Sequence, residues 1–252
     1  MRVQGQPAFV LHARPWRETS LIVELLTRDH GRIGLVARGV QGPKRQPLRA
    51  ALQPLQHVRV DYLQRGELGR LLQAEALDVA PVLRGDPLLA AFYVAELLLR
   101  LLPRQDAADA VFDRYGELRA DLAGDAPLAW TLRRFERDLL ELLGYGLPLD
   151  RTDDGAPLDP AARYLLDGER GPLRDHRHAR GSVSGAALLA LAEDRLPPPA
   201  QLAELRGALR GVLQGHLGGA IALGQAVRAV MAEPGDDAAL ARLRACAQAI
   251  AG

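Results

Sequence analysis

The sequence predicts an α+β protein, with a five-stranded β-barrel over residues 1–80 followed by a mainly α-helical domain over 81–252. Three observations carry this. Five short runs before residue 80 are apolar at alternate positions or rich in branched residues, the marks of half-buried strands. After residue 80 the apolar period changes to about 3.6. Between the third and fourth runs lies a short helix-like segment, and three strands, a small helix and two strands is the order of an OB-fold barrel. Other small five-stranded β-domains fit the pattern equally well.

Residues 1–7 read as a loose end. Ala8–His12 alternates around Phe9 and Leu11, and Thr19–Thr27 is rich in Leu, Ile and Val until Asp29-His30-Gly31 breaks it. Arg32–Arg38 alternates again. The loop Gly39–Pro47 carries Lys44 and Arg45 among glycines and prolines, and Pro47 suits the first turn of a helix over Leu48–Gln53, where its missing N–H costs nothing. His57–Gln64 and Leu68–Asp78, parted by Arg65-Gly66-Glu67, supply the last two strands.

Two prolines and a glycine make 79–87 a connection. Leu88–Leu102 is apolar nearly all round, as a core helix is, with Glu96 and Arg100 spaced to pair on its one wet face. Asp106–Leu122 is a second helix. Leu128–Leu143 is a third, with Leu128, Leu132, Phe135, Leu139 and Leu142 as its apolar stripe and Gly144 as its stop. Residues 146–183 form an irregular insert dense in Gly, Pro and charge, with a hairpin expected at Ala162–Leu166 and Pro172–Arg174. Helices follow at Ser184–Arg195, with Ser184 as N-cap, and at Gln201–Leu217, Ala220–Ala232 and Asp237–Ile250.

The totals exclude several classes. At 252 residues and 48% hydrophobic, the chain is long and apolar enough for a sizeable core. No apolar run approaches the ~18 residues of a membrane span, and the first residues lack the apolar core of a signal peptide. The single cysteine, Cys246, allows no internal disulfide and suits a cytoplasmic protein. The charge is uneven: residues 1–80 hold 12 basic and 7 acidic side chains, whereas the rest is net acidic. A basic β-domain suits a polyanion.

The basic residues gather near strand ends and loops. Arg14, Arg17, Arg38, Lys44, Arg45 and Arg49 are the candidate DNA-binding residues, because phosphate neutralisation needs adjacent flexible cations and no fixed catalytic geometry. With 4% aromatic residues the chain offers no set of stacking platforms, and Trp16 and Tyr62 read as structural. Arg133, Arg134 and Arg137 lie among acids on the third helix, and spacing alone describes an ion-paired face with Arg137 and Glu141 at i, i+4. Asp175-His176-Arg177-His178 lacks a second pair at ligand spacing, so the histidines read as loop residues and no metal site is expected. No P-loop, GxSxG or HExxH motif is present, and no cofactor is expected. Gly215–Gly219 contains glycines but follows no strand.

The phrases AFVLHARPWRETSLIVELLTRDHGRIGLVARGV, LQPLQHVRV and GELGRLLQAEAL, and later LRRFERDLLELLGYG, resemble the RecO family of bacterial recombination-repair proteins. The likeness is dense over about the first eighty residues and over 128–146. It implies a non-enzymatic, nucleoid-associated mediator. Such a protein binds single- and double-stranded DNA, anneals complementary strands, and works with RecR and RecF to load RecA onto DNA coated by single-strand-binding protein (SSB). It further implies that the third helix helps form a groove for the acidic C-terminal tail of SSB, with Arg134 first, then Arg133 and Arg137, as its cations. Two departures stand out. The insert has none of the four zinc-binding cysteines that some relatives carry, and the basic stretch that follows HLGG in the family is replaced by AIALGQAVRAV, which keeps only Arg228. Three other readings remain open: an OB-fold acting on RNA, an adaptor binding only protein, and an enzyme using Asp153, Asp154, Asp175 or His176.

Overall fold

In the first eighty residues, period-two alternation produces five strands: β1 (Arg2–Trp16), β2 (Ser20–Thr27), β3 (Gly31–Ala37), β4 (His57–Leu63) and β5 (Leu68–Ala76), with helix α1 (Gln46–Ala51) between β3 and β4. This is seen in a computed structural model, which describes residues 1–40 and 46–218. The strands close into a barrel in the order β1-β2-β3-β5-β4. Neighbours are antiparallel except β3 and β5, which run parallel through Gly34↔Leu68, Leu35↔Gly69 and Val36↔Arg70. That is OB-fold topology. Val10, Val23, Leu35, Val60, Tyr62 and Leu71 are among the side chains filling the interior.

The start of the chain is not a loose end. β1 begins at Arg2, its first half paired with β4 and its second with β2. The terminal amine donates to Gln64 O at 3.0 Å. Alternating polar Arg2, Gln4 and Gln6 hide this strand in the sequence; pairing with β4, not apolarity, holds it.

Helices α2 (Asp86–Leu101) and α3 (Asp109–Asp121) belong to the same compact unit, Met1–Ala123. They cover one part of the barrel's outer face. Phe9, pointing outward from β1, stacks on His57 at 4.5 Å and meets Phe112 and Tyr115 of α3 at 4.7 and 5.2 Å. Arg119 forks onto Asp78 at 2.6 and 2.8 Å and donates to Leu55 O. The boundary expected at 80/81 is where the strands end; compactness divides the chain further on, after Ala123. On α2 the expected Glu96–Arg100 pair forms at 3.5 Å, but Glu96 is buried rather than on a wet face.

The segment after α2 runs along β3. Gln105 N donates to Arg32 O at 2.9 Å, and Asp106 passes over Gly31. A Cβ on Gly31 would sit 1.6 Å from the Asp106 carbonyl oxygen, and its φ is +58°, so only glycine fits this crossing.

The second unit, 124–218 among the described residues, contains α4 (Leu128–Leu142), a small sheet and two further helices. The sheet has the order β7-β6-β8, from β6 (Arg163–Asp167), β7 (Gly171–Arg174) and β8 (Val183–Ser184). The hairpin β6–β7 forms where expected; the two-residue β8 was too short to read. Helices α5 (Gly185–Ala192) and α6 (Pro199–His216) follow. Ser184 precedes α5, but its hydroxyl makes no cap bond. It donates instead to Glu204 Oε2 at 2.7 Å. Glu204 also accepts from Ser184 N and from Arg163, tying α6 to the sheet. Burial acts to raise the Glu204 carboxyl, but Arg163 and Ser184 outweigh it and hold it below its ordinary value. The helices expected at Ala220–Ala232 and Asp237–Ile250 lie outside the described residues, and no described helix is long and apolar enough to cross a membrane.

Candidate nucleic-acid interface

Alternation along the strands decides which residues face out of the barrel. Ala13, Val23 and Ala37 point inward with the core, so His12, Arg14 and Trp16 on β1, Ser20, Ile22 and Glu24 on β2, and Gly34 and Val36 on β3 point outward. Pairing then lines them up across the sheet. Arg14 faces Ile22, Ile22 faces Val36 and Val36 faces Arg70, which puts two arginines at the ends of one row. At one strand spacing per step the row spans about 14 Å along the curved sheet. The next row holds Trp16 opposite Ser20, with Arg38 one residue beyond Ala37, the partner of Leu21.

A salt bridge marks where this face becomes covered. Arg104 donates to Glu24 at 2.6 Å and passes over Gly34, where an added Cβ would meet its Nη1 at 2.7 Å. On one side of it lie Phe9 and Arg32, under α2 and α3; Arg32 donates to Leu99 O. On the other side no described helix is paired to the face by a salt bridge of this kind, and it is open among the described residues. There Arg38 and Arg70 are exposed, Arg14 is half-buried, and Arg17 stands in the β1–β2 turn with φ +54°. None of Arg14, Arg17, Arg38, Arg49 and Arg70 makes an ion pair with a described residue. Burial lowers the His12 pKa, with Glu24 opposing and Arg14 adding to the shift, which favours the neutral ring.

The expected DNA-binding residues thus divide. Arg14, Arg17 and Arg38 come together at one end of the barrel, Arg49 sits exposed on α1, and Lys44 and Arg45 lie outside the described residues. Arg70 was missed, because nothing in the sequence announces the parallel β3–β5 register that sets it beside Val36. Tyr62 is in the barrel core, its phenol pushed up to about 12 by burial first and Asp29 second. Trp16 is not in the core: it is 40% exposed, because the β1–β2 hairpin carries it beyond the last packed row.

Helix α4 sorts its arginines differently. Arg133 is 4% exposed and ion-paired with Glu136, also buried, one turn away. The apolar stripe read from spacing is therefore rotated: Thr131, Phe135, Leu139 and Leu140 are inside with this pair, and Leu142 is exposed. Arg134 Nε donates to Asp194 at 2.7 Å. Arg137 bonds Asp138, Leu191 O and Asp194, the last at 3.2 Å, and not Glu141. Burial tends to raise the Asp194 carboxyl; the bonds and charges of Arg134 and Arg137 outweigh it and keep it below its ordinary value. Beyond the arginines, Leu142 and Tyr145 are exposed, and the Tyr145 ring stacks on His216 at 4.1 Å.

The acids of the insert hold turns. Asp175 accepts from the N–H groups of Arg177 and Ala179, which lowers its pKa. Asp154 accepts from Thr152 and Ala156 N, and Asp153 pairs with Arg170. Among the described residues no three His, Cys, Asp or Glu side chains cluster as metal ligands.

Two family models match the chain, "Recombination protein O N terminal" over residues 1–80 and "Recombination protein O C terminal" over 84–223. Their division falls at the end of the strands. A DNA repair protein RecO from Xanthomonas euvesicatoria pv. vesicatoria is 56% identical over 224 residues, covering 87% of this chain and 93% of that protein. The RecO of Xanthomonas oryzae pv. oryzae is likewise 56% identical with the same coverage. That of Xylella fastidiosa is 54% identical, covering 87% of this chain and 92% of its own. With models matching both halves and relatives this similar along nearly their whole length, the chain belongs to the RecO family.

Proposed function

We propose that this protein is a non-enzymatic mediator of recombinational DNA repair, acting in the cytoplasm on the nucleoid. The observation that carries the reading is this half of the barrel face, where Arg14, Arg17, Arg38 and Arg70 stand together without an ion pair to any described residue. Arginines such as Arg28, Arg119 and Arg163 are held by Asp113, Asp78 and Glu204; what marks these four is their gathering on one face of the barrel. Unpaired cations repel one another and gain from an external polyanion, whose counterions they release. Lys44, Arg45 and Arg49 add three further cations in the sequence between β3 and β4.

In this reading the barrel holds single- or double-stranded DNA through its phosphates and lets a complementary strand anneal. The C-terminal unit docks the acidic tail of SSB. Arg134 and Arg137 supply the charge there, with Asp194 in the place the tail's carboxylate takes, and Leu142 and Tyr145 supply apolar surface for its end. Arg133 acts from inside, fixing α4 rather than touching the tail. Tail binding brings the protein to coated strands, and together with RecR and RecF it promotes RecA loading. No step consumes a nucleotide.

Fluorescence anisotropy with a labelled oligonucleotide and a labelled SSB tail peptide tests both halves. Lys44→Ala/Arg45→Ala and Arg38→Ala/Arg70→Ala are expected to weaken the oligonucleotide alone, and Arg134→Ala the peptide alone. Absence of binding to either probe at low salt sinks the reading in favour of a protein-only adaptor. A structured RNA that competes as well as DNA moves it to RNA.

A further inference from the structure

We propose that Trp16 is a base-stacking platform that makes the open barrel face prefer unpaired nucleotides over duplex. The inference rests on the reading of that face as the DNA-binding surface, and names which form of nucleic acid it selects.

Its starting point is the environment of the indole. A tryptophan ordinarily buries most of its surface, and Trp130, the other tryptophan of the chain, is 7% exposed. Trp16 is 40% exposed and makes no ring or cation–π contact with a described residue. It stands in the last row of the sheet, opposite the small Ser20, with Arg38 beyond; the next row inward ends in Arg14 and Arg70. The acid closest in the chain is Glu18, exposed in the turn and paired with none of these arginines. Glu24, on the same face, is neutralised by Arg104.

Cations in the same and the adjoining row as a part-exposed indole match one kind of ligand: a chain of phosphates carrying unstacked, planar bases. The arginines attract any phosphate backbone. The indole discriminates, because an unpaired base can lie on it whereas a base inside a duplex is already stacked on both faces. Every base has a π-face, so the contact reads strandedness and not sequence.

The test compares oligo(dT) with a duplex of equal length, using the full chain. Trp16→Ala is expected to weaken oligo(dT) about tenfold and leave the duplex unchanged, while Trp16→Phe keeps most of the affinity. Oligo(dT) is expected to quench the tryptophan emission of the wild type and not that of Trp16→Phe, in which only buried Trp130 emits. If Trp16→Ala weakens both probes equally, or neither, the stacking role is overturned. If in that case Arg14→Ala/Arg38→Ala/Arg70→Ala still weakens both probes, the DNA-binding face stands without it. If that triple variant changes neither probe, the DNA-binding face itself is wrong, and the stacking role falls with it.

Discussion

The barrel face and helix α4 each present three arginines close together, yet they treat the charge in opposite ways. On the barrel, Arg14 on β1, Arg38 just past β3 and Arg70 on β5 meet no acid among the described residues. On α4, Arg133 is sealed inside with Glu136, and Arg134 and Arg137 converge on Asp194. The difference teaches that a cation's role depends on what already satisfies it. A buried, paired arginine holds structure, since removing it leaves a carboxylate in a dry place without its cation. A part-exposed arginine paired to an exposed acid is occupied but exchangeable. An unpaired one is available.

Removing Arg133 separates these cases most sharply. Arg133→Ala is expected to destabilise the second unit by about 3 kcal/mol, read by urea denaturation with Trp130, buried on the same helix, as reporter. Arg70→Ala is expected to change stability by no more than about 0.5 kcal/mol. Equal losses would show that the two arginines do not differ as the structure has them.

The next effect belongs to the open face. Replacing Arg14, Arg38 and Arg70 together with alanine removes up to three phosphate contacts. At about 0.7 each, the log–log salt slope of single-strand binding should fall by about 2. A slope that stays at the wild-type value would place the DNA elsewhere on the chain.

These two regions also show why the sequence discloses one and conceals the other. Period-two alternation in Arg32–Arg38 and His57–Gln64 is enough to find the strands, since each buries one face. Which arginines share a row depends on pairing between strands, and the parallel contact of β3 with β5 joins Val36 to a residue thirty-four positions away. No local pattern carries that, so Arg70 stayed hidden while Arg14 and Arg38, close to Trp16 in one hairpin system, did not. On α4 the spacing misled in the other direction. Charged residues normally mark the wet face, but Arg133 and Glu136 lie i, i+3 apart and go inside as a pair. Composition makes Trp16 read as structural because it counts aromatics without locating them; its place at the hairpin end is a matter of strand length.

Gly34→Ala probes the border between the covered and open halves of the barrel face. The added methyl would meet Arg104 Nη1 and Leu68 Cδ2, each at 2.7 Å, and push Arg104 away from Glu24. We expect a loss of about 1–2 kcal/mol in stability. DNA binding should weaken as well, because the Glu24 charge then faces the arginines uncompensated. Lost stability with unchanged DNA affinity would mean that Glu24 is too far from the bound strand to matter.

The smallest effect concerns Asp194, which Arg134 and Arg137 hold. Asp194→Asn removes the internal competitor that Arg134 and Arg137 share, and the SSB tail peptide should bind about threefold more tightly, the size of an exposed ion pair of ~0.6 kcal/mol. The same pair has a pH signature. The carboxyl is held below its ordinary value in the folded protein, so its stabilising contribution is complete above the unfolded value of about 3.9. It disappears as pH falls through the lower, folded value. The stability difference between wild type and Asp194→Asn should therefore be constant from neutral pH down to about pH 5 and shrink below about pH 4. A difference that instead grows on acidification would mean that Asp194 is favoured in its protonated form. Asp194 would then add nothing to the holding of Arg134 and Arg137, and the contrast between the two regions would rest on the buried Arg133–Glu136 pair alone.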